Sequence, residues 1–202
     1  MLRNPELKAR RVLEKELSGI LGQSNRKLSL EQYSTDVTSA SELLFSAYND
    51  GNLEGRSVID LGAGNGILAV GAALLGAASV TAVEYDPALD QILRKNVSNY
   101  QVEVVISDVA SIRGRWDTTV MNPPWGSQAR GADRPFIGKA VEISNHIYAI
   151  HNHKSAEFLK SYYSSRCKVV KDKRIRIPLE KQFSHQGVEK MYVDAILISA
   201  HV

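Results

Sequence analysis

The rhythm of apolar and polar positions changes partway along the chain. From Leu2 to Leu17 the apolar residues Leu7, Val12, Leu13 and Leu17 stand among charges, which predicts an amphipathic helix ended by Gly19 and Gly22. A polar loop runs on to about Thr35. Asp36 or Thr38 is placed to cap a second helix through Tyr48, stopped by Asn49-Asp50-Gly51. From Ser57 short apolar runs alternate with helical stretches. Strands are predicted over 57–61, 80–84, 102–107, 116–121 and around 146–150. Helices are predicted over about 67–75, from Pro87 to near Asn99, and around 134–144 and 155–163, with Pro87 suited to a first helical turn. Residues 168–177 and 191–199 then read as two strands with a loop between them. Alternation of strand and helix implies a mostly parallel sheet, and the closing pair implies an antiparallel hairpin at its edge. The fold class is therefore doubly wound α/β.

Composition narrows the class further. The 202 residues are 44% hydrophobic and 23% charged, which excludes a disordered or fibrous chain and suits one compact domain. Within it, residues 1–35 read as an N-terminal helix and covering segment, and residues 36–202 as the main domain. The longest apolar-rich stretch, 67–83, is too broken by Gly, Ser and Thr to span a membrane. The first residues run straight into charges, so no secretory signal is expected. The single cysteine, Cys167, can form neither an internal disulfide nor a structural zinc site, and a cytoplasmic home is expected. The net charge of +3 hides an uneven distribution. Residues 1–30 hold seven Lys/Arg against three acids, residues 166–190 hold eight against three, and the centre is net acidic. Basic ends around such a body suit a polyanionic partner, or else are two solvated faces.

The chemistry starts at Asp60-Leu-Gly62-Ala-Gly64-Asn65-Gly66, which follows the first strand of the α/β region and opens a helix at Ile67. Glycines allow a tight turn and a close ligand approach. The spacing is Gly-x-Gly-x-Gly and not the Gly-x-Gly-x-x-Gly of dinucleotide folds. With Asp60 at its edge this loop disfavours a second anion and suits a cationic ligand. S-adenosylmethionine, with a sulfonium and an ammonium group, is such a ligand. Asp60 is placed to orient the loop or to meet the ammonium. Glu84 ends the second strand, where a carboxylate can accept from both ribose hydroxyls. Asp108 ends the third, where it can accept from an adenine amino group beside the backbone N–H of Val109. Any one of these acids alone could be a cap. Three in register at strand ends favour an S-adenosylmethionine site.

Asn122-Pro123-Pro124-Trp125 closes the fourth strand, facing the methyl group in a sheet wound this way. Two prolines remove two backbone donors and stiffen their carbonyls. The Asn122 side-chain oxygen and the Pro123 carbonyl can then accept both hydrogens of one planar amino group. That matters because a nucleobase or amide nitrogen has a conjugated lone pair. Two acceptors draw it toward a pyramidal geometry with the lone pair aimed at the methyl group. Trp125 offers a flat wall for a stacked base, worth roughly 1–3 kcal/mol.

With these motifs the chain resembles the class I methyltransferases that act on amino nitrogens. More narrowly it resembles the ribosomal RNA adenine methyltransferases of the methyltransferase-like protein 5 type, archaeal relatives included. The family's Leu-Glu-Gln-Tyr-x-Thr signature stands as Leu30 to Thr35, its glycine loop as Asp60 to Gly66, and its Asn-Pro-Pro-aromatic-Gly motif as Asn122 to Gly126. A Leu-His-Lys-Ser-like segment stands as Ile150 to Ser155. The resemblance implies a Rossmann-like fold and methylation of an adenosine amino group in structured RNA of the small ribosomal subunit. It also implies a cofactor pocket lined by Gln32, Thr35, Gly62, Asn65, Ile67, Glu84, Asp108 and Val109, with Asn122 to Trp125 holding the adenine. The eukaryotic members of the family associate with a small zinc-binding activator protein along a strand edge, a partner the resemblance suggests for this chain. Trp125 stands where the family usually has Phe, and Asn65 where a small residue or cysteine is common.

Other readings use the same motifs. A protein glutamine methyltransferase faces the same nucleophile problem, but its larger N-terminal substrate domain is missing. A DNA adenine methyltransferase lacks room for a target-recognition domain. A catalytically silent RNA-binding scaffold is opposed by the intact Asn122 and glycine loop. His151 and His153 beside Lys154 find no third metal ligand at useful spacing, so no metal site is expected, and an exposed phosphate-touching loop or a polar strand end remains. Residues 166–176 alternate basic and apolar residues, a basic row on one strand face that suits RNA phosphates or protects an edge.

Overall fold

The computed structural model describes residues 5–22, 35–126, 130–179 and 191–202. The N-terminal helix α1, Pro5–Leu17, buries Leu13 and Leu17 while Leu7 and Val12 stay exposed, so its apolar stripe is narrower than its sequence predicts. Helix α2, Val37–Asn49, begins at Asp36, whose carboxylate accepts from the N–H groups of Thr38 and Ser39 at 3.0 and 3.1 Å. That cap satisfies two of the donors a helix start leaves unpaired.

Seven strands then form one sheet: β1 Ser57–Leu61, β2 Ser79–Glu84, β3 Val102–Ile106, β4 Trp116–Met121, β5 Ser144–Asn152, β6 Lys168–Leu179 and β7 Met191–His201. Their spatial order is β3-β2-β1-β4-β5-β7-β6. The first five are parallel, and β7 runs antiparallel between β5 and β6. The expected edge hairpin is present, with its second strand turned inward against β5. Helices α3 Ile67–Leu74, α4 Asp90–Val97, α5 Arg134–Ile143 and α6 Ala156–Ser164 complete the chain.

Strand side chains alternate between two cores, as the pleat requires. Val58, Val80 and Val120 pack with α1 to α4, while Ile59, Leu61, Val83 and Met121 pack with α5 and α6. A strand buried on both faces reads as a continuous apolar run, which is why β1 was legible at its true ends. The interruption in that run, Asp60, points into the first core. Helix α1 joins the same core through Leu13 and Leu17, packed with α2 and α3. Among the described residues no helix is long and apolar enough to cross a membrane.

The basic row of β6 departs from expectation. Its bases divide between two faces: Lys168, Lys171 and Lys173 stand opposite His201, Ser199 and Leu197, and Arg174 and Arg176 opposite Ile196 and Asp194, with a bulge between Val169 and Lys171. Lys171 and Lys173 turn to α2 and pair with Asp50 and Glu42. Arg174 pairs with Asp194 at 2.7 Å, and Asp172 takes Lys160 of α6 at 2.8 Å.

Candidate active site

Parallel strands direct their carboxyl ends to one rim, and in open α/β sheets ligands bind there. The loop after β1 is built almost wholly from its own backbone. Gly62, Gly64 and Gly66 have φ of 79°, 57° and 86°. The N–H groups of Gly62 and Ala63 both donate to the Val83 carbonyl, at 2.9 and 2.8 Å. At Gly66 the left-handed backbone caps α3, and a Cβ there would lie 2.7 Å from Leu93 Cδ1.

Two acids anchor this loop differently. Glu84, at the end of β2, accepts from Gly64 N at 2.8 Å through Oε2 and from Asp86 N at 2.9 Å through Oε1. Each oxygen keeps a further lone pair for a ligand, and the side chain lines the cavity. Asp60 is fully buried beneath the loop. Its Oδ2 accepts from Ala69 N at 3.0 Å, and its Oδ1 has no partner. Burial pushes its pKa up to about 8 against the pull of the Ala69 N–H, and the Glu84 charge adds to the rise. Of the two roles the sequence left open for Asp60, orienting the loop is the one its position allows.

The cavity measures about 300 Å³. Gly62, Gly64, Glu84, Asp108, Val109, Asn122 and Pro124 line it, so these predicted residues converge. Asp108 caps a short 3-10 turn through Ala110 N at 2.8 Å. Asn65, Gly66 and Ile67 lie behind the loop instead. Asn65 donates to the Leu21 carbonyl at 3.2 Å, and its own carbonyl accepts from Asn96 at 2.8 Å. Gln32 lies outside the described residues. Val83, Tyr85, Leu89, Ser107, Pro135 and Phe136 complete the lining and were not foreseen. Tyr85 and Ser107 could have been found as neighbours of Glu84 and Asp108. Phe136 had no such signal, since α5 brings it from over seventy residues away to where a Cβ on Gly62 would stand 3.1 Å from its ring. Carboxylates at one end, flat apolar walls and a Cβ-free floor fit a nucleoside bearing a cationic tail.

The tetrad is held by distant partners. Trp125 Nε1 donates to Asn122 Oδ1 at 3.0 Å, and Asn122 Nδ2 donates to Thr35 Oγ1 at 3.0 Å. Because an indole nitrogen is only a donor, the contact fixes which way the carboxamide faces. Trp125 packs against the first core and does not line the cavity, so the stacking wall expected of it is corrected. Its N–H finds the nearest acceptor on the core side, and Phe136 and Pro124 supply the apolar cavity wall. Thr35, expected at the cofactor, reaches Asn122.

For His151 the polar strand end, and not the exposed loop, is the reading that holds. It is buried at the end of β5, with Nε2 2.9 Å from the Tyr163 hydroxyl and Nδ1 3.7 Å from Asp133 Oδ2. Burial pushes its pKa down to about 3, so the ring is neutral. It is an interior group and not part of an exposed loop.

Residues 37–122 match the ribosomal protein L11 methyltransferase (PrmA) family, a stretch from α2 to Asn122. The rRNA N(6)-adenosine-methyltransferase Mettl5 of Drosophila melanogaster is 31% identical over 200 residues, covering 91% of this chain and 93% of that protein. A Methanocaldococcus jannaschii protein without an assigned function is 33% identical over 168 residues, 76% of each chain. The crystal structure of a Pyrococcus horikoshii protein proposed to be an RNA methyltransferase superposes with a TM-score of 0.89 at 36% identity, covering 96% of this chain and 98% of that one. The likeness to Mettl5 covers far more of the chain than the stretch shared with PrmA, and on that footing the chain belongs to the Mettl5 family of rRNA N(6)-adenosine-methyltransferases.

Proposed function

We propose that this chain methylates the exocyclic amino group of an adenosine in ribosomal RNA of the small subunit, with S-adenosylmethionine as donor. The supporting observation is the convergence of the glycine loop, Glu84, Asp108 and Asn122 on one cavity. When bound, S-adenosylmethionine supplies an electrophilic methyl group. Gly62 and Gly64 leave space for its chain, Glu84 accepts from the ribose hydroxyls, and Asp108 with Val109 holds the adenine ring. Asp60, Asn65, Gly66 and Ile67 keep the loop and α3 in place beneath. Thr35 joins the site through Asn122, and Gln32 is the further cofactor contact that the family resemblance assigns.

On the target side, Asn122 Oδ1 and the Pro123 carbonyl accept the two amine hydrogens. Pro123 and Pro124 bring no N–H to compete. The nitrogen lone pair turns out of conjugation toward the cavity, which is orientation more than acid–base chemistry. Once methylated, the nitrogen is strongly acidic and its extra proton passes to water. Trp125 and Thr35 hold the Asn122 carboxamide in register for this. The PrmA likeness stops at Asn122, so it speaks for the cofactor half and not for a protein substrate.

An rRNA substrate fits a cytoplasmic home. The small zinc-binding activator of the family's eukaryotic members is the partner we assign to β3, one of the two outer strands of the sheet, whose edge offers backbone groups to a further strand. The experiment is labelled-methyl transfer to total RNA and total protein from cells lacking the enzyme, with Asn122→Ala as control. N(6)-methyladenosine in small-subunit rRNA is expected. Methylglutamine in protein would overturn the RNA reading, and no transfer despite cofactor binding and added activator would favour a silent scaffold.

A further inference from the structure

The outer face of α6 carries a feature that neither the cofactor pocket nor the tetrad uses. Phe158 and Tyr162 fall at i and i+4 on α6, and Arg166 follows the helix just past its C-cap, Ser165. The Phe158 and Tyr162 rings stack, with centroids 5.6 Å apart and planes at 29°. The Arg166 guanidinium lies over the Tyr162 ring at 3.7 Å. At the other end, Arg134 lies over Phe158 at 5.1 Å. The four side chains form an unbroken line of arginine, ring, ring, arginine.

This line is surface. Phe158 is 45% exposed, and Arg134 and Arg166 are exposed, while Ala156, Leu159 and Tyr163 on the opposite face of α6 supply its packing. The guanidinium of Arg166 is also fixed in place, its Nη1 donating to the Tyr162 carbonyl at 2.9 Å and to Ser165 Oγ at 2.7 Å. The line begins at the active-site rim, because Arg134 directly precedes Pro135 and Phe136 on the cavity wall. An exposed phenylalanine gains little from water, so a row of rings pinned between cations is a prepared contact surface.

We propose that the RNA strand flanking the target adenosine runs along α6, with a base packed against the exposed edge of Phe158 and its phosphates met by Arg134 and Arg166. The inference rests on the RNA reading above and adds the path. Rings serve bases of any identity, and arginines serve both phosphates and base planes. Charge selects the occupant: both ends of the row are cationic, which matches a polyanion. The basic strand β6 is the competing path, but its charges are engaged. Lys171, Lys173 and Arg174 already hold Asp50, Glu42 and Asp194. Moving those lysines and that arginine onto phosphate means breaking ion pairs, whereas Arg134 and Arg166 lie on rings and can meet phosphate where they stand.

The test is fluorescence anisotropy with a labelled single-stranded RNA of about twelve nucleotides, joined to methyl-transfer kinetics on small-subunit rRNA. The variants are Phe158→Ala, Phe158→Tyr, Arg166→Ala and, on β6, Lys173→Ala. Phe158→Ala is expected to raise the RNA Kd about five-fold or more. It should raise KM for RNA in parallel while leaving the Kd for S-adenosylmethionine unchanged. Phe158→Tyr keeps the ring and should restore both. Arg166→Ala should lower the salt slope of RNA binding by about one, and Lys173→Ala should change Kd less than about two-fold. If the wild type methylates RNA while Phe158→Ala binds and turns it over normally, the α6 path is wrong and the RNA reading stands. If the wild type methylates protein and not RNA, the reading and the path fall together.

Discussion

The two halves of the active site are built in opposite ways. On the cofactor side, the loop after β1 is held by hydrogen bonds to its own backbone, to Val83 and to Glu84, about twenty residues on. On the target side, Asn122 depends on Thr35, 87 residues earlier, and the facing wall is Phe136 from a helix that arrives later. A locally closed loop survives transplantation between substrates, and the match to PrmA covers that half and ends at Asn122. A target side assembled from distant segments is free to specialise. The comparison teaches that cofactor affinity and turnover should respond to different substitutions.

The strongest break between the halves is expected at Asn122. Asn122→Ala should lower turnover by about 10²-fold or more and leave the Kd for S-adenosylmethionine within about two-fold of the wild type, read by single-turnover kinetics and calorimetry. Gly66→Ala should do the reverse. Its left-handed backbone and the 2.7 Å approach to Leu93 Cδ1 leave no room for a methyl group. Together they should destabilise the fold by about 2–3 kcal/mol, with cofactor binding weakened, measured by denaturant melts.

The buried acid beneath the loop sharpens the comparison through pH. In the fold Asp60 titrates near 8, against an ordinary 3.8, so between those values the folded state holds a proton that the unfolded state has lost. Stability from this group is therefore full below 3.8 and lost as pH rises to about 8. His151 acts in the opposite sense, its pKa falling from 6.5 to about 3, so its contribution is present above 6.5 and lost on acidification. The two slopes offset each other in mildly acidic solution, and a decline should emerge between about pH 6.5 and 8. Asp60→Asn should remove that decline, seen as a flat melting temperature across the window. A decline that persists in the variant would mean another group carries it.

The smallest effect is expected at the carboxamide clamp. Trp125→Phe keeps the ring in its core and deletes the N–H, and Thr35→Val deletes the other partner. Each should lower kcat by several-fold, about what one hydrogen bond of 0.5–1.5 kcal/mol supports, with cofactor Kd unchanged. A weaker cofactor affinity in Thr35→Val would instead place Thr35 on the cofactor, as the family resemblance implied.

Local chemistry was legible wherever a signal lies within a few residues. Asp36 was one of two legible caps, and β1 at 57–61 and β4 at 116–121 were legible at their observed bounds, because caps and buried runs carry their own boundaries. Glu84 and Asp108 were legible because parallel strands put their carboxyl ends on one rim. Leu7 and Val12 were misjudged, since periodicity marks an apolar stripe but not the width of the groove that receives it. The row on β6 was misjudged because Lys173 and Arg174 are adjacent and the pleat sends them to opposite faces, while the bulge before Lys171 moves Lys168 onto the face of the other two lysines.

By itself, the order of apolar runs, glycines and strand-end acids determined the doubly wound sheet and the rim to which the glycine loop, Glu84 and Asp108 are brought. Backbone conformation and hydrogen-bonding capacity are properties of short segments, so they can be read from short segments. Tertiary structure decided what those groups meet: Trp125 on the carboxamide and not on the cavity, Asp60 beneath the loop, His151 sealed against Tyr163, and Phe136 across from Gly62. It also aligned Arg134 of one helix with Phe158 and Tyr162 of another and with Arg166 just beyond it. Packing selects one arrangement of distant surfaces by volume and by the satisfaction of buried polar groups, and neither quantity belongs to any one stretch of chain.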